Sequence, residues 1–337
     1  MLGTAHYSST SQIALRLLSS QPVETDVAFF KQRIAAAQAY RDRIVHNTNA
    51  YRLIHAEADG LPALIVDRYA DCFTIQTLDQ GMDLATPHIT AALEDLYKPT
   101  GIIARNDAAV RAHENLPRET KLLQGEIPPS VELAMNGLKF FVDLAHGQKT
   151  GIFLDQRENY AAAVKYARGK VLDCFTSTGG FAIHMAKNAD SVVAVDSSAP
   201  ALETAAKNAA ANTIANIQFK EADAFEFLAG AKGRYETIVL DPPAFAKSRS
   251  QVEAAVRAYK EINLRALKML EPGGVLITCS CSHHVGEAEL LSAIAQASLD
   301  AKRTVRVLER RMQAQDHPVL LTVPETLYLK CLVLSVE

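Results

Sequence analysis

The first hydrophobic pattern in the chain has a helical period. Val27, Phe30, Ile34 and Ala37 recur at spacings of three or four residues, with basic side chains between them. Because an α-helix repeats every ~3.6 residues, these four side chains fall on one face. The spacing predicts a helix over residues 23–45.

Short apolar runs bounded by turn residues follow the predicted helix, and the stretch from Met82 to Leu96 then returns to a helical pattern. The segment from Tyr51 to about Val131 is therefore predicted to form a small α+β unit. Its predicted strands are YRLIHAE, LPALIVDRY, DCFTIQTL and GIIARN.

From Lys170 onward, strand and helix patterns alternate. Each strand is a short apolar run, which suits burial on both faces of a parallel sheet. Helical patterns begin near Gly180, Pro200, Gln251 and Glu287. The alternation predicts an α/β architecture. The predicted strands are KVLDCF, SVVAVD, IQFKEAD, YETIVLD and GGVLITCS.

Composition narrows the class of protein. The 337 residues are 48% hydrophobic and 22% charged, which is typical of globular domains with sizeable cores. A net charge of −3 means that any nucleic-acid contact has to come from a local basic patch. No apolar run approaches the ~18 residues of a membrane helix, so no membrane association is expected. Five thinly spread cysteines fit a reducing cytoplasm.

The segment VLDCFTSTGGF predicts a strand, a tight turn and the start of a helix. Small residues there let a ligand approach the backbone, and a helix N-terminus offers it N–H groups. The segment is a poor glycine fingerprint, because Phe175 and Ser177 stand where a dinucleotide-binding loop has glycine. Its glycines are Gly179 and Gly180. An ordinary strand-to-helix turn therefore stays open as the alternative.

Acidic residues end the next two strands. Asp196 follows the loop by about twenty residues, where a carboxylate can accept both hydroxyls of a ribose. Asp223, followed by Ala224, is placed to meet an adenine edge. An isolated strand-end aspartate is more often a cap or turn residue. Three sites at successive strand ends nevertheless favour one ligand across this edge of the sheet.

The fourth strand ends in LDPPAF, where two prolines stiffen the backbone after Asp241 and Phe245 follows. Beside an adenosine-type site, a rigid loop with an acid and an aromatic suits a grip on a flat base taken out of its stack. The alternative is a Pro-Pro strand terminator with Phe245 in the core.

The fifth strand ends in TCSCSHHV, which contains Cys279 and Cys281 followed by His283 and His284. These four side chains are too crowded to converge on one zinc ion, and a disulfide between residues two apart is strained. Two interpretations remain: one of the cysteines is a nucleophile, or both are buried and inert. Since residues i and i+2 of a strand share a face, periodicity does not choose between the two cysteines.

Together these motifs resemble class I S-adenosylmethionine (SAM) methyltransferases, and more narrowly the bacterial large-subunit ribosomal RNA cytosine-5-methyltransferases of the RlmI type. The resemblance covers nearly the whole chain. HGQKTGIFLDQR and CSCS are its specific blocks, whereas DPP and an aspartate after a strand occur across many methyltransferases. Other matching segments are AYRLIHAEADGLPALIVDRY, RNDAAVRAHE, DCFTSTGGF, AVDSSAPAL, DPPAFAKSRSQ and DHPVLLTVPETLYLKCLV.

The resemblance implies a Rossmann-like methyltransferase domain over 136–337 behind a smaller α+β domain over 46–135. Residues 22–45 would form a linker helix, and residues 1–21 a remnant of the PUA-type RNA-binding module with which family members begin. SAM is the implied cofactor and 23S ribosomal RNA the implied partner, and a homodimer is left open. The implied cofactor site comprises Gln148, Lys149, Arg157, Asp173, Phe175, Thr176, Ser177, Gly179, Gly180, Asp196, Ser197, Asp223, Ala224 and Asp241.

The resemblance also implies a role for one cysteine. Carbon-5 of cytosine is a poor nucleophile until a thiolate adds to carbon-6. The family pattern S-C-S places this thiolate on Cys281, with Cys279 as a packing neighbour and Asp241 on the adjacent strand to hydrogen-bond the base. Two alternatives stay open: methylation of a guanine or adenine nitrogen by the DPP loop without a cysteine, and an RNA-binding module that no longer binds SAM.

Overall fold

The computed structural model describes residues 3–147, 152–230 and 233–337. The chain divides into two compact units. Unit 1 comprises Met1–Leu154 and Gln315–Thr326, and unit 2 comprises Asp155–Ala314 and Leu327–Glu337. The chain therefore leaves unit 2 after Ala314 and returns to it at Leu327.

Unit 1 contains a five-stranded sheet and two hairpins. Its strands are β1 (Thr4–Tyr7), β2 (Leu15–Ser19), β3 (Ala50–His55), β4 (Leu64–Tyr69), β5 (Cys72–Thr77), β6 (Gly101–Asn106), β7 (Glu119–Gly125), β8 (Val131–Met135) and β9 (Leu138–Val142). The sheet order is β3-β4-β5-β6-β7, and within it only β5 and β6 pair in parallel. The four strands predicted in this region are all found, whereas β7, β8 and β9 were not predicted.

The helices of unit 1 follow from their apolar faces and their caps. They are α1 (Val27–Ile44), α2 (Gln80–Leu84) and α3 (Thr86–Tyr97). The predicted first helix is confirmed, but it begins at Val27 because Asp26 accepts a hydrogen bond from the Phe29 N–H at 2.9 Å and caps it. The predicted helix over 82–96 is divided into α2 and α3, because Pro87 lies in the first turn of α3, where a proline starts a helix.

A buried network of charges lies in unit 1 beside its apolar core. Arg41, which is fully buried, donates to Asp59 at 2.7 Å and to the Asp316 carbonyl at 3.0 Å. The Asp316 carboxylate accepts the backbone N–H of Arg52 at 2.9 Å, and the Arg52 guanidinium pairs with Asp67 at 2.7 Å. These bonds tie residues 315–326 to α1 and β3, since the buried charges have their partners there.

Unit 2 is a seven-stranded sheet with helices between its strands. The strands are β10 (Lys170–Cys174), β11 (Ser191–Asp196), β12 (Ile217–Glu221), β13 (Tyr235–Leu240), β14 (Leu270–Ser280), β15 (Val305–Arg311) and β16 (Lys330–Val336). The helices are α4 (Arg157–Ala163), α5 (Gly180–Met185), α6 (Ala199–Ala211), α7 (Ala224–Gly230), α8 (Val252–Met269) and α9 (Glu287–Ala301).

The order of strands in unit 2 is β12-β11-β10-β13-β14-β16-β15. The strands from β10 to β14 all pair in parallel, which confirms the predicted α/β class. The unpredicted strands β16 and β15 extend the sheet in antiparallel fashion. The order reverses between β10 and β13, and ligands of open α/β sheets bind outside the carboxyl ends of the strands at such a switch point. Among the described residues, no helix is both long and apolar enough to cross a bilayer.

Candidate active site

The loop after β10 is organised by the carboxylate of Asp173. This side chain is fully buried, and one oxygen accepts the Thr176 hydroxyl at 2.6 Å and the Ala182 N–H at 3.0 Å. Among the described residues, no hydrogen-bond partner reaches its other oxygen, Oδ1. Since a buried acceptor without a partner is costly, this oxygen marks a position where a ligand donor would be favoured.

The backbone of this loop is left-handed at three positions. Phe175, Ser177 and Gly179 have φ angles of 66°, 50° and 88°. Phe175 and Ser177 therefore take a conformation that glycine adopts more easily, and such local strain is typical of ligand-binding turns. Gly180 has a packing reason instead, because a Cβ there would come within 2.4 Å of the Tyr160 ring.

The acids at the ends of β11 and β12 differ in their hydrogen-bond partners. Asp196 accepts the backbone N–H groups of Ser177 and Ser198 at 2.8 and 2.9 Å, one on each oxygen. Each carboxylate oxygen has room for a further donor, so Asp196 can still meet hydroxyls. Asp223 is exposed and accepts the Glu226 N–H at 3.0 Å, which makes it a cap of α7. Ser197 is exposed and Ala224 is buried.

The block HGQKTGIFLDQR is partly described. Gln148 and Lys149 lie outside the described residues. Arg157 begins α4 and is buried, with its guanidinium 3.5 Å from the Glu158 carboxylate. Its guanidinium is therefore shielded from solvent.

A chain of hydrogen bonds ends on Asp241. Arg311 donates to the Asn159 amide oxygen at 2.9 Å, Asn159 donates to the Gln156 amide oxygen at 2.6 Å, and Gln156 donates to Asp241 at 2.9 Å. Because the arginine side chain has donors and no acceptor, it fixes which group donates in each of the three hydrogen bonds. Neither Gln156 nor Asn159 was predicted as a site residue, although Gln156 lies inside the specific block HGQKTGIFLDQR.

The structure separates the two cysteines that periodicity could not. Cys279 lies inside β14, opposite Cys331 of β16, and is fully buried. Burial raises the pKa of its thiol well above the ordinary value, which disfavours a thiolate. Cys281 follows the last residue of β14, is partly exposed, and has its sulfur 3.8 Å from the Pro242 carbonyl.

The predicted adjacency of the DPP strand and the cysteine strand is confirmed, because β13 and β14 pair in parallel. Asp241 and Cys281 therefore follow neighbouring strands at the same edge of the sheet. Phe245 is partly buried, with its ring centroid 5.7 Å from Phe225 and 4.7 Å from Tyr259, so it packs as part of the core boundary. His283 is exposed and lies against the Tyr328 ring at 5.5 Å.

Asp173 should make the stability of the fold depend on pH. Burial raises its pKa to about 7; the Thr176 hydrogen bond opposes this rise and the Asp241 charge adds to it. Between pH ~4 and ~7 the unfolded chain has therefore lost a proton that the folded chain keeps, so the free energy of unfolding falls as pH rises through this window. Asp173→Asn has no such proton, and its stability relative to the wild type should rise between pH 4.5 and 7.5.

Denaturant unfolding of both proteins at these two pH values measures this change. Asp223→Asn is the matched control, because it makes the same chemical change at a carboxylate that is exposed rather than buried. A constant difference between Asp173→Asn and the wild type would mean that Asp173 ionises normally in the folded protein.

Comparisons with known proteins agree with this geometry. A family model described as S-adenosylmethionine-dependent methyltransferase matches residues 89–326. A Photobacterium profundum protein named ribosomal RNA large subunit methyltransferase I is 42% identical over 98% of this chain and 86% of its own length. This chain therefore belongs to the family of S-adenosylmethionine-dependent methyltransferases. An Aeromonas hydrophila methyltransferase of the same name is 43% identical over 98% of this chain and 87% of its own length.

The methyltransferase fold is matched among solved structures. A Streptococcus mutans protein assigned to the SAM-dependent methyltransferases has a TM-score of 0.85 and 24% identity, over 99% of this chain and 88% of its own. The Rossmann-like fold implied by the motifs is thereby confirmed, and SAM is the cofactor of the family to which the chain belongs.

Proposed function

We propose that this methyltransferase modifies carbon-5 of a cytosine in large-subunit ribosomal RNA, through an adduct between Cys281 and carbon-6 of the base. The name of the relatives points to the RNA substrate. One observation carries the proposed chemistry: Cys281 and Asp241 follow neighbouring parallel strands, and the Cys281 sulfur lies against the Pro242 carbonyl of the DPP loop.

The cofactor is proposed to lie at the ends of β10, β11 and β12. Asp173 offers a buried carboxylate oxygen, and Asp196 offers remaining acceptor capacity for the ribose hydroxyls. The left-handed turn from Phe175 to Gly179 lets a ligand approach the backbone. Bound there, SAM supplies the methyl group. The remaining proposed contacts come from Gln148, Lys149, Arg157, Thr176, Ser177, Gly180, Ser197, Asp223, Ala224 and Asp241.

In the proposed reaction Cys281 is the nucleophile, and its thiolate is regenerated at the end. Its thiolate forms a bond to carbon-6, and the electron pair of the carbon-5–carbon-6 double bond forms a new bond from carbon-5 to the methyl group, whose bond to the sulfonium sulfur of SAM breaks and leaves S-adenosylhomocysteine. A base then removes the proton from carbon-5, the double bond reforms, and the bond from sulfur to carbon-6 breaks to return the thiolate.

Asp241 is proposed to hydrogen-bond the target base at nitrogen-3, and because a carboxylate and nitrogen-3 are both acceptors, one of them carries the proton that they share. The bond from Gln156 fixes one oxygen of the Asp241 carboxyl, and Asn159 and Arg311 fix Gln156. A group held in this way loses less rotational freedom when the base arrives, which favours a productive geometry.

The RNA phosphates are proposed to contact Lys247 and Arg249, which are exposed just after the DPP loop. Arg257 and Lys260 are weaker candidates, because each is within 4 Å of a carboxylate of this chain.

We also propose that the enzyme acts in the cytoplasm, in keeping with cysteines that are thiols. The homodimer that the sequence leaves open stays a prediction.

Nucleoside mass spectrometry tests the reaction class. Large-subunit ribosomal RNA from cells with and without the gene should differ by the loss of one 5-methylcytidine, which the wild-type gene restores. The purified enzyme with SAM should add the same nucleoside to RNA from the deletion strain. A missing methylguanosine or methyladenosine instead would identify the nitrogen methyltransferase alternative, and unchanged nucleosides would contradict both.

A further inference from the structure

A buried lysine lies next to the loop that carries Cys281. Lys330 is the first residue of β16, and its backbone is paired with Ser280, the last residue of β14. Its side chain is 7% exposed. Lysine is almost never this buried unless it is paired, so its partners indicate what it does.

The Lys330 ammonium donates to two backbone carbonyls of that loop. Its Nζ lies 2.8 Å from the carbonyl of Ser282 and 2.8 Å from the carbonyl of Val285. Ser282 directly follows Cys281 in the chain. An ammonium has three donors, so a third remains beside these two. Lys330 therefore ties the loop from Cys281 to Val285 to the start of β16.

The charges around Lys330 are mostly acidic groups and the thiol. Burial lowers the pKa of Lys330, whereas Cys281, Glu289 and Glu287 raise it. Glu287 is 3.3 Å from the Arg310 guanidinium. Among these neighbours Lys330 is the cation that is shielded from solvent, so its influence on the thiol is weakly screened.

Other titratable groups face the same loop. Partial loss of water around the ring lowers the pKa of His283, and Lys330 and His284 lower it further, which makes the imidazole neutral at pH 7. Burial raises the pKa of Tyr259, and Cys281 adds to that rise. Neither ring therefore supplies a positive charge to Cys281.

We propose that Lys330 is a positioning residue that holds the Cys281 loop and stabilises its thiolate with a buried positive charge. This inference deepens the proposed function and rests on Cys281 as the nucleophile. A cation near a thiol favours the charged form, and the thiolate is the form that attacks carbon-6. Two carbonyl hydrogen bonds hold the charge beside the loop, and no carboxylate of the described residues lies within ion-pair distance of it.

Alkylation of Cys281 with iodoacetamide across a pH range tests this role without RNA. Cys72, Cys174, Cys279 and Cys331 are buried in the folded protein, so Cys281 should supply the fast reaction. Cys281→Ala should remove that reaction. The variants are Lys330→Met and Lys330→Gln, which remove the charge, Lys330→Arg, which keeps it, and Lys207→Met, which removes an exposed lysine of α6 as the matched control.

The midpoint of the alkylation profile should rise by about one pH unit in Lys330→Met and Lys330→Gln, so that alkylation at pH 7 slows about tenfold. Lys330→Arg should recover most of the wild-type profile, and Lys207→Met all of it. In methyl transfer the charge-removing variants should lower kcat with little change in KM for RNA, since Lys330 acts through Cys281.

Circular dichroism and thermal unfolding identify which variants are folded, and Lys330→Gln keeps the test available if Lys330→Met is not. An unchanged alkylation midpoint in a folded charge-removing variant would overturn the electrostatic role and leave Lys330 as a structural tie. Failure of the proposed function is a separate result: Cys281→Ala would then still methylate RNA, whatever the alkylation profiles show.

Discussion

Cys281→Ala is expected to abolish methyl transfer. Without the sulfur no adduct forms at carbon-6, and carbon-5 stays a poor nucleophile, so the rate should fall by about 1,000-fold or more. Binding of SAM should be unchanged, because Cys281 is not among the proposed cofactor contacts. Methyl incorporation into ribosomal RNA measures the first effect, and calorimetry with SAM the second.

Cys279→Ala is the matched control for this prediction, because it removes a thiol only two residues away in the chain, inside β14. It should keep nearly full activity and lose about 1 kcal/mol of stability, since the buried Cys279 thiol packs against Cys331. If Cys281→Ala methylates RNA at the wild-type rate, the covalent mechanism is wrong. If Cys279→Ala alone is inactive, the nucleophile has been assigned to the wrong cysteine.

Arg41→Met should destabilise unit 1 by about 3–5 kcal/mol. The substitution leaves Asp59, which is 6% exposed, without its guanidinium partner, and it removes the donor to the Asp316 carbonyl. A carboxylate left nearly buried without its cation carries most of this cost. Chemical denaturation followed by far-ultraviolet circular dichroism measures the loss.

Arg43→Met tests whether the position matters, since Arg43 is exposed on the same helix and should change stability by less than about 0.5 kcal/mol. Arg41→Met combined with Asp59→Asn should recover part of the loss, because the second change removes the unpaired charge. Equal losses in Arg41→Met and Arg43→Met would show that the buried ion pair contributes nothing specific.

The helices and strands of unit 2 were predictable where local patterns decide them. The helix predicted near Glu287 begins at that residue, and the one predicted from Pro200 begins at Ala199. The strands β15 and β16 were missed. The sequence of β15, VRVLERR, has mostly polar positions because one face and one edge of that strand are open to solvent. Its apolar signal is therefore weak, although it pairs with β16 along its length apart from a shift in register between Val307 and Glu309.

Some residues of the candidate site were likewise predictable from local patterns, and others were not. Strand ends placed Asp173, Asp196 and Asp241 at one edge of the sheet, because parallel strands present their carboxyl ends together. The contact between Gln156 and Asp241 joins residues 85 positions apart, and no local pattern records it. Cys279 is buried and Cys281 is partly exposed because β14 ends between them, and the end of a strand is its least predictable property.

The path of residues 315–326 has a consequence for how this protein can change over evolutionary time. These residues follow most of unit 2 in the chain, yet Asp316 satisfies Arg41 and Arg52 in unit 1. Recombination that exchanged residues up to 154 alone would bring in a foreign partner for Asp316. We therefore expect the two units to be inherited together, and a graft of unit 1 onto another methyltransferase would have to include this distant segment.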